Sequence, residues 1–125
     1  MTQSPHGINY ESNRPVVMGR NGMISSGHPL ASQAGMTMLQ KGGNAVDAAI
    51  ATAAALNVVE PLMSGAGGDG FIMTYWKNTG RIEICNGTGA APYAATRDYY
   101  ANELGGIPLT GIKSVSVPGL VDAWL

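Results

Sequence analysis

Lys41-Gly42-Gly43-Asn44-Ala45-Val46-Asp47-Ala48-Ala49-Ile50-Ala51-Thr52-Ala53-Ala54-Ala55-Leu56 is the stretch whose reading decides the fold. The two glycines stop whatever precedes them, and Asn44 is a good residue to begin a helix. Asp47 stands three positions on, where a carboxylate answers the free N–H groups of a first turn. From Ala45 to Leu56 almost every residue is apolar, and most are alanine. An amphipathic surface helix would carry a polar face, and this one has none, so it is expected to be buried on several sides. Alanine also lets neighbouring backbones come close.

Working upstream, His28-Pro29 opens another helix, with proline suited to its first turn. Ala31, Ala34, Gly35 and Met38 recur at helical spacing and form its expected inward side, and Lys41 falls in the last turn. Val16–Met18 and Met23–Ser26 read as short extended pieces around an Asn21-Gly22 turn. Residues 1–15 are polar and aperiodic, a leader expected to be disordered. They lack the apolar core of a secretory signal.

Downstream, Glu60-Pro61 ends the alanine helix, because the residue before proline avoids the α region. Ser64-Gly65-Ala66-Gly67-Gly68-Asp69-Gly70 follows, then a strand Phe71–Trp76, a turn Lys77–Gly80 and a strand Arg81–Cys85. Alternation puts Ile82 and Ile84 on one face of that antiparallel hairpin and Arg81 and Glu83 on the other. Asn86–Pro92 is a glycine-rich loop. Thr96 caps a short helix Arg97–Glu103 that Gly105-Gly106 ends. Ser114–Val117 is extended, and Pro118-Gly119 starts an apolar helix that Leu125 cuts short, so the chain reads as a fragment. Gly65, Gly67 and Gly70 spell G-x-G-x-x-G, but the dinucleotide motif needs a strand before it and a helix after it. Here that order is reversed, and a packing turn is the expected role.

Composition narrows the function classes. Charged residues make up 12% of the 125, about half the usual globular share, and the net charge is −1. So few charges imply that other polypeptide covers much of the surface. The seven Lys and Arg residues are scattered, which argues against nucleic acid and against an anionic membrane as partners. Ala45–Val59 is too short to span a bilayer. Cys85 is the only cysteine, so no internal disulfide can form and a cytoplasmic setting is expected. Cys85 itself reads as a buried strand residue.

Three stretches together resemble the N-terminal region of the γ-glutamyltranspeptidase family of N-terminal-nucleophile hydrolases. They are Gly22–Ser26 through His28–Ser32, then Lys41–Ala49, then Val59-Glu60-Pro61 with Ser64–Phe71. Ala91-Pro92, Ala95-Thr96 and Val117-Pro118-Gly119 fit the same order and spacing. The resemblance implies an α/β (α+β) fold, part of a four-layer αββα sandwich, with residues 16–125 forming the N-terminal part of a large subunit. It implies a precursor that cuts itself, and a downstream threonine, N-terminal after cleavage, that is both nucleophile and base. The substrate would be a small-molecule γ-glutamyl or related acyl amide, and the protein partner the remainder of the same precursor. No metal or cofactor is implied, and no catalytic residue falls in this chain. Thr2, Thr37, Thr52, Thr74 and Thr96 have plainer places in a leader, in helices, on a strand and at a cap. His6 lies in the leader, and His28 reads as a turn or cap residue.

Glutathione-acting members of that family carry Arg-Glu-x-Ala-Pro, whose arginine clamps the α-carboxylate of the γ-glutamyl group. The matching run here is Thr88-Gly89-Ala90-Ala91-Pro92, so Thr88 stands where the resemblance places the arginine. A guanidinium grips a carboxylate with two parallel charge-assisted bonds, whereas a hydroxyl offers one and no charge. The expected substrate is therefore another acyl amide, as in the cephalosporin-acylase-like and oxamate-amidohydrolase-like branches. Arg81 and Arg97 could replace the missing charge only if folding brought them near, and both read as surface residues. Two rivals stand beside this: a small binding module using the Gly65–Gly70 loop, and a degenerate family member.

Overall fold

The computed structural model describes residues 16–125, so the leader, with Thr2 and His6, lies outside the described residues. Helix α1 spans Pro29–Gln40. His28 is its N-cap: the backbone there is extended, and Nδ1 accepts a hydrogen bond from the Leu30 N–H at 3.2 Å. At the other end Gly42 adopts φ 92°. Its N–H reaches the Leu39 carbonyl at 3.1 Å, and the Gly43 N–H reaches Met38 at 2.9 Å. That pair of bonds is a Schellman stop, and the left-handed residue it requires is the glycine. Lys41 is the C-cap, one residue beyond the expected last turn.

Helix α2 spans Ala45–Val59 and begins on a full capping box. Asn44 Oδ1 accepts from the Val46 and Asp47 N–H groups at 2.7 and 3.1 Å, and Asp47 Oδ2 accepts from the Asn44 N–H at 2.8 Å. Asn44→Ala removes two of these bonds and is expected to lower stability of the whole protein by about 1 kcal/mol. A urea midpoint that did not fall would contradict the cap's contribution.

The helices cross where their side chains are smallest. Ala31 and Gly35 lie one turn apart on α1, Ala48 and Thr52 one turn apart on α2, and all four are buried. Thr52 satisfies its buried hydroxyl by donating to the Ala48 carbonyl at 2.7 Å. The rest of α2 departs from the expectation of burial on several sides. Only Ala48 and Thr52 are buried, while Ala45, Ala49, Ala54 and Val58 are exposed. An all-apolar helix requires cover on each face, and α1 supplies one. Residues 21–26 lie along the α1–α2 groove beside Leu39, Ala49 and Leu56 without joining a strand, so the expected extended pieces have no ladder partner among the described residues.

Strands β1 (Phe71–Trp76) and β2 (Arg81–Asn86) form the expected antiparallel hairpin. The pairing of Trp76 with Arg81 and of Phe71 with Asn86 defines its register. Gly80, at φ 67°, closes the turn with its N–H on the Trp76 carbonyl at 2.8 Å. The register gathers Phe71, Met73, Tyr75, Ile82 and Ile84 on one face, and each is between 63% and 73% exposed. Cys85, expected to be buried, is exposed. It falls on the opposite face, with Trp76 and Glu83, whose side chains are hydrogen-bonded at 2.8 Å. Strand residues are buried only if something packs on their face, and a two-stranded ribbon brings no cover of its own.

Thr96 caps the next helical stretch by accepting from the Tyr99 N–H at 3.2 Å. Its turns widen to π geometry over Tyr99–Glu103, and Gly105 and Gly106, both at positive φ, end it. A single 3₁₀ turn, Ile112–Ser114, replaces the start of the expected extended piece, and Val115 resumes extended angles. Helix α3 spans Leu120–Trp124. With Leu120 and Trp124 it borders a cavity of about 690 Å³ against β1 and the Ala45–Ala53 side of α2. Among the described residues the buried apolar side chains are Ala31 and Ala48 alone, and no large side chain is fully buried. No helix among them is long and apolar enough to cross a membrane.

Candidate functional site

Thr88 is exposed, in the loop two residues after β2, and its backbone is held from both sides. Its own N–H donates to Asn86 Oδ1 at 3.0 Å. The preceding residue, Gly87, is buried and extends the hairpin by one bond, its N–H meeting the Gly70 carbonyl at 2.8 Å. A Cβ on Gly87 would lie 2.6 Å from the Ala123 Cβ and 2.9 Å from the Gly70 carbonyl oxygen. On the other side, a Cβ on Gly89 would lie 2.6 Å from the Val117 carbonyl carbon, and one on Gly119 would lie 2.8 Å from the Gly89 nitrogen. Glycine is required here by close backbone approach. Three chain segments, 68–70, 87–89 and 117–120, thus meet with almost no side chain between them, and Thr88 is presented from that junction.

The G-x-G-x-x-G loop belongs to the same junction. A helix precedes it and a strand follows, as the sequence order requires. The Gly68 carbonyl accepts from the N–H groups of Gly119 and Leu120, both at 3.1 Å, and the Gly68 N–H is taken by Gly65 at 3.0 Å. The Gly68 carbonyl thus docks the start of α3, a packing role for this part of the loop. No observation favours the binding-module rival. Asn57 and Ser64 pin the loop's entry through a side-chain hydrogen bond at 2.5 Å.

The two arginines separate clearly. Arg81 pairs with Trp76 at the turn end of the hairpin, five residues along β2 from Asn86, which is roughly 16 Å of extended chain. Arg97 instead lines a cleft of about 620 Å³ together with Gly89, Ala91 and Pro92 of the Thr88 loop. Both arginines are exposed, as expected. Lys113 enters the same cleft from the 3₁₀ turn, and no carboxylate lines it. Lys113 Nζ stands 4.9 Å from the centre of the Tyr99 ring, and its carbonyl accepts from the Tyr100 hydroxyl at 3.0 Å. Tyr99, and more weakly Tyr100, raises the Lys113 amine above its ordinary pKa. The sequence carried no signal for this meeting: Arg97 and Lys113 are sixteen positions apart, with an irregular loop between them. His28, Thr37, Thr52, Thr74 and Thr96 occupy the structural places expected of them. Among the described residues no group of three His, Cys, Asp or Glu side chains could hold a metal ion.

Comparison with known proteins agrees with the residue-level resemblance. The family model described as gamma-glutamyltranspeptidase matches residues 31–125. A glutathione hydrolase-like YwrD proenzyme of Bacillus subtilis (strain 168) is 49% identical over 109 residues, covering 86% of this chain and 21% of that protein. The solved cephalosporin acylase from Bacillus halodurans superposes with a TM-score of 0.79 at 41% identity, over 99% of this chain and 23% of the other. Helicobacter pylori gamma-glutamyltranspeptidase gives a TM-score of 0.77 at 34% identity, over 88% and 32%. The chain therefore spans about a fifth of the length of the curated relatives it matches.

Proposed function

This chain belongs to the gamma-glutamyltranspeptidase family, and from that premise we propose that it forms the N-terminal part of the large subunit of an amidohydrolase or acyltransferase. The family match supports an enzyme for the whole protein, and relatives named as proenzymes support one precursor that is cut into subunits. The burial pattern supports the partner assignment. A face of five exposed apolar strand residues and an α2 covered on one side are surfaces that the remainder of the precursor would cover. The proposed setting is the cytoplasm, where a lone exposed thiol such as Cys85 stays reduced.

In the proposed reaction a downstream threonine, N-terminal after cleavage, attacks the carbonyl carbon of the substrate amide. Its own α-amine takes the hydroxyl proton and passes it to the departing nitrogen as the C–N bond breaks. The acyl group, now an ester on the threonine, is then transferred to water or to an amine. This chain's share of the work is to shape the acyl pocket.

The observation that carries the substrate class is Thr88, held at the three-segment junction with its side chain exposed. It offers no charge to an α-carboxylate, so the preferred acyl group is one without the free amino-acid head. A hydrogen bond to a charged group contributes about 1.5–3 kcal/mol, so its loss corresponds to roughly 10–100-fold in kcat/KM. Assayed as the full-length protein, γ-glutamyl-p-nitroanilide is expected to fall behind an acyl amide without a carboxylate, such as valeryl-p-nitroanilide, by that margin, with glutaryl and oxamate amides run beside them. Thr88→Arg is expected to recover about tenfold on the γ-glutamyl compound. Efficient turnover of that compound by the unmodified protein would sink the assignment.

A further inference from the structure

Residues 104–112, Leu-Gly-Gly-Ile-Pro-Leu-Thr-Gly-Ile, form a loop without a single charged side chain. On it Ile107, Leu109 and Ile112 are 73%, 99% and 82% exposed. The loop is nevertheless braced. Gly105, Gly106 and Gly111 all take positive φ, and nothing lies within 4 Å of a Cβ added to any of them. Glycine there serves the bend of the backbone and not a close contact. At the base the Gly106 N–H reaches the Tyr100 carbonyl at 2.8 Å, and the Tyr100 hydroxyl donates to the Lys113 carbonyl at 3.0 Å. Lys113 Nζ stands 4.9 Å from the centre of the Tyr99 ring, a second clasp across the same base. Ser114 closes the far end, its N–H and hydroxyl both on the Gly111 carbonyl at 3.0 and 2.7 Å.

An apolar tip on a braced loop suits contact with another polypeptide, because burial removes the tip from water and the bracing lowers the cost of ordering. The base of this loop also fixes where that polypeptide sits. Four residues beyond Lys113, the Val117 backbone packs against Gly89, next to Thr88. Whatever covers the tip therefore lies beside the proposed acyl pocket. In the proposed reaction the polypeptide that must reach that pocket is the one bearing the downstream threonine. This chain spans about a fifth of the length of curated relatives named as proenzymes, and a precursor of that size has ample polypeptide to supply the cover.

We infer that the 104–112 loop is a docking arm for the subunit that carries the nucleophilic threonine, with Ile107 and Leu109 as its buried anchors. The inference rests on the proposed function and adds which part of the precursor meets this chain, and where. A second copy of the chain has no such reason to sit beside the pocket.

The test replaces Leu109 with the photo-crosslinking residue p-benzoylphenylalanine in the full-length protein and irradiates it. The expected product is one band of the summed mass of the two subunits, its crosslinked peptide mapping to the threonine-bearing subunit. A crosslink confined to the large subunit, one joining two copies, or none at all overturns the arm. A second measurement is retention of the threonine-bearing subunit on gel filtration in dilute urea. Leu109→Asp is expected to weaken it about 10–100-fold, and Leu109→Met to leave it near that of the unmodified protein. Tyr100→Phe removes the clasp and keeps the tip, so it should weaken retention about 2–10-fold. Unchanged retention in Leu109→Asp overturns the arm, and if that variant does not accumulate the crosslink decides alone. If the protein is cut but turns over no amide, the proposed substrate reading fails separately, and the crosslink still decides the arm. If it is never cut, the precursor reading fails. A crosslinked peptide from beyond residue 125 then still supports the arm, and one from within residues 16–125 overturns it.

Discussion

Gly89→Ala is expected to lower the stability of the full-length protein by about 3 kcal/mol and to abolish most of its turnover. The added methyl would sit 2.6 Å from the Val117 carbonyl carbon and 2.8 Å from the Val117 Cβ, and nearer still to the Val117 carbonyl oxygen. Overpacking usually costs about 1–3 kcal/mol, because side chains rotate away from the intruder. Most of what Gly89 meets is backbone, which can yield only by parting segment 117–120 from segment 87–89. Those are the segments that present Thr88, so stability and activity should fall together. Gly65→Ala is the matched control: no atom lies within 4 Å of its Cβ position. That variant should stay within about 0.5 kcal/mol of the unmodified protein, or gain slightly from a less flexible unfolded chain. Urea denaturation and a turnover assay on both variants decide the matter. Equal behaviour of Gly89→Ala and Gly65→Ala would mean that the junction does not hold the loop.

Gly35→Ala should cost about 2–3 kcal/mol through the α1–α2 crossing. Helix propensity alone predicts the opposite sign, since alanine is better than glycine inside a helix by about 1 kcal/mol. The clash wins because the new Cβ would fall on the Thr52 hydroxyl and 2.9 Å from the Ala48 carbonyl oxygen. Relief would require the helices to separate, opening the contact that buries Ala31 and Ala48. Adding Thr52→Ala to Gly35→Ala removes the hydroxyl and leaves the carbonyl, so it should recover part of the loss but not all. A double-mutant cycle on the urea midpoints measures that coupling. If Gly35→Ala proved neutral or stabilising, the close crossing would be refuted.

Most of what is governed by residues within a few positions of one another was legible without the structure, the π turns of Tyr99–Glu103 and the 3₁₀ turn of Ile112–Ser114 excepted. Asn44 and Asp47 meet in a capping box, His28-Pro29 opens α1, Gly42 stops it, and the alternation of Arg81–Cys85 makes a hairpin. Each of these closes hydrogen bonds between near neighbours, so the residue types involved carry the signal themselves. The reversed order around Gly65–Gly70 was equally local, and the structure keeps a helix before the loop and a strand after it. Thr88 was found through family resemblance, and the local pattern added only that glycines flank it.

Tertiary structure decided the rest, because burial and charge proximity depend on segments far apart in the chain. Cys85 alternates as a strand residue should, yet its exposure depends on whether any element covers that face of the hairpin. The alanine run of α2 announces a need for cover on every side, but only folding showed that α1 meets it on one. Gly89 and Gly119 look like ordinary loop glycines until the backbone of Val117 is brought against the first and that of Gly87 against the second. Arg97 and Lys113 share a cleft because the chain turns back through Gly105 and Gly106. Local hydrogen-bond chemistry, then, is written in the order of residues, whereas a surface or a cleft exists only once distant backbone has been packed against it.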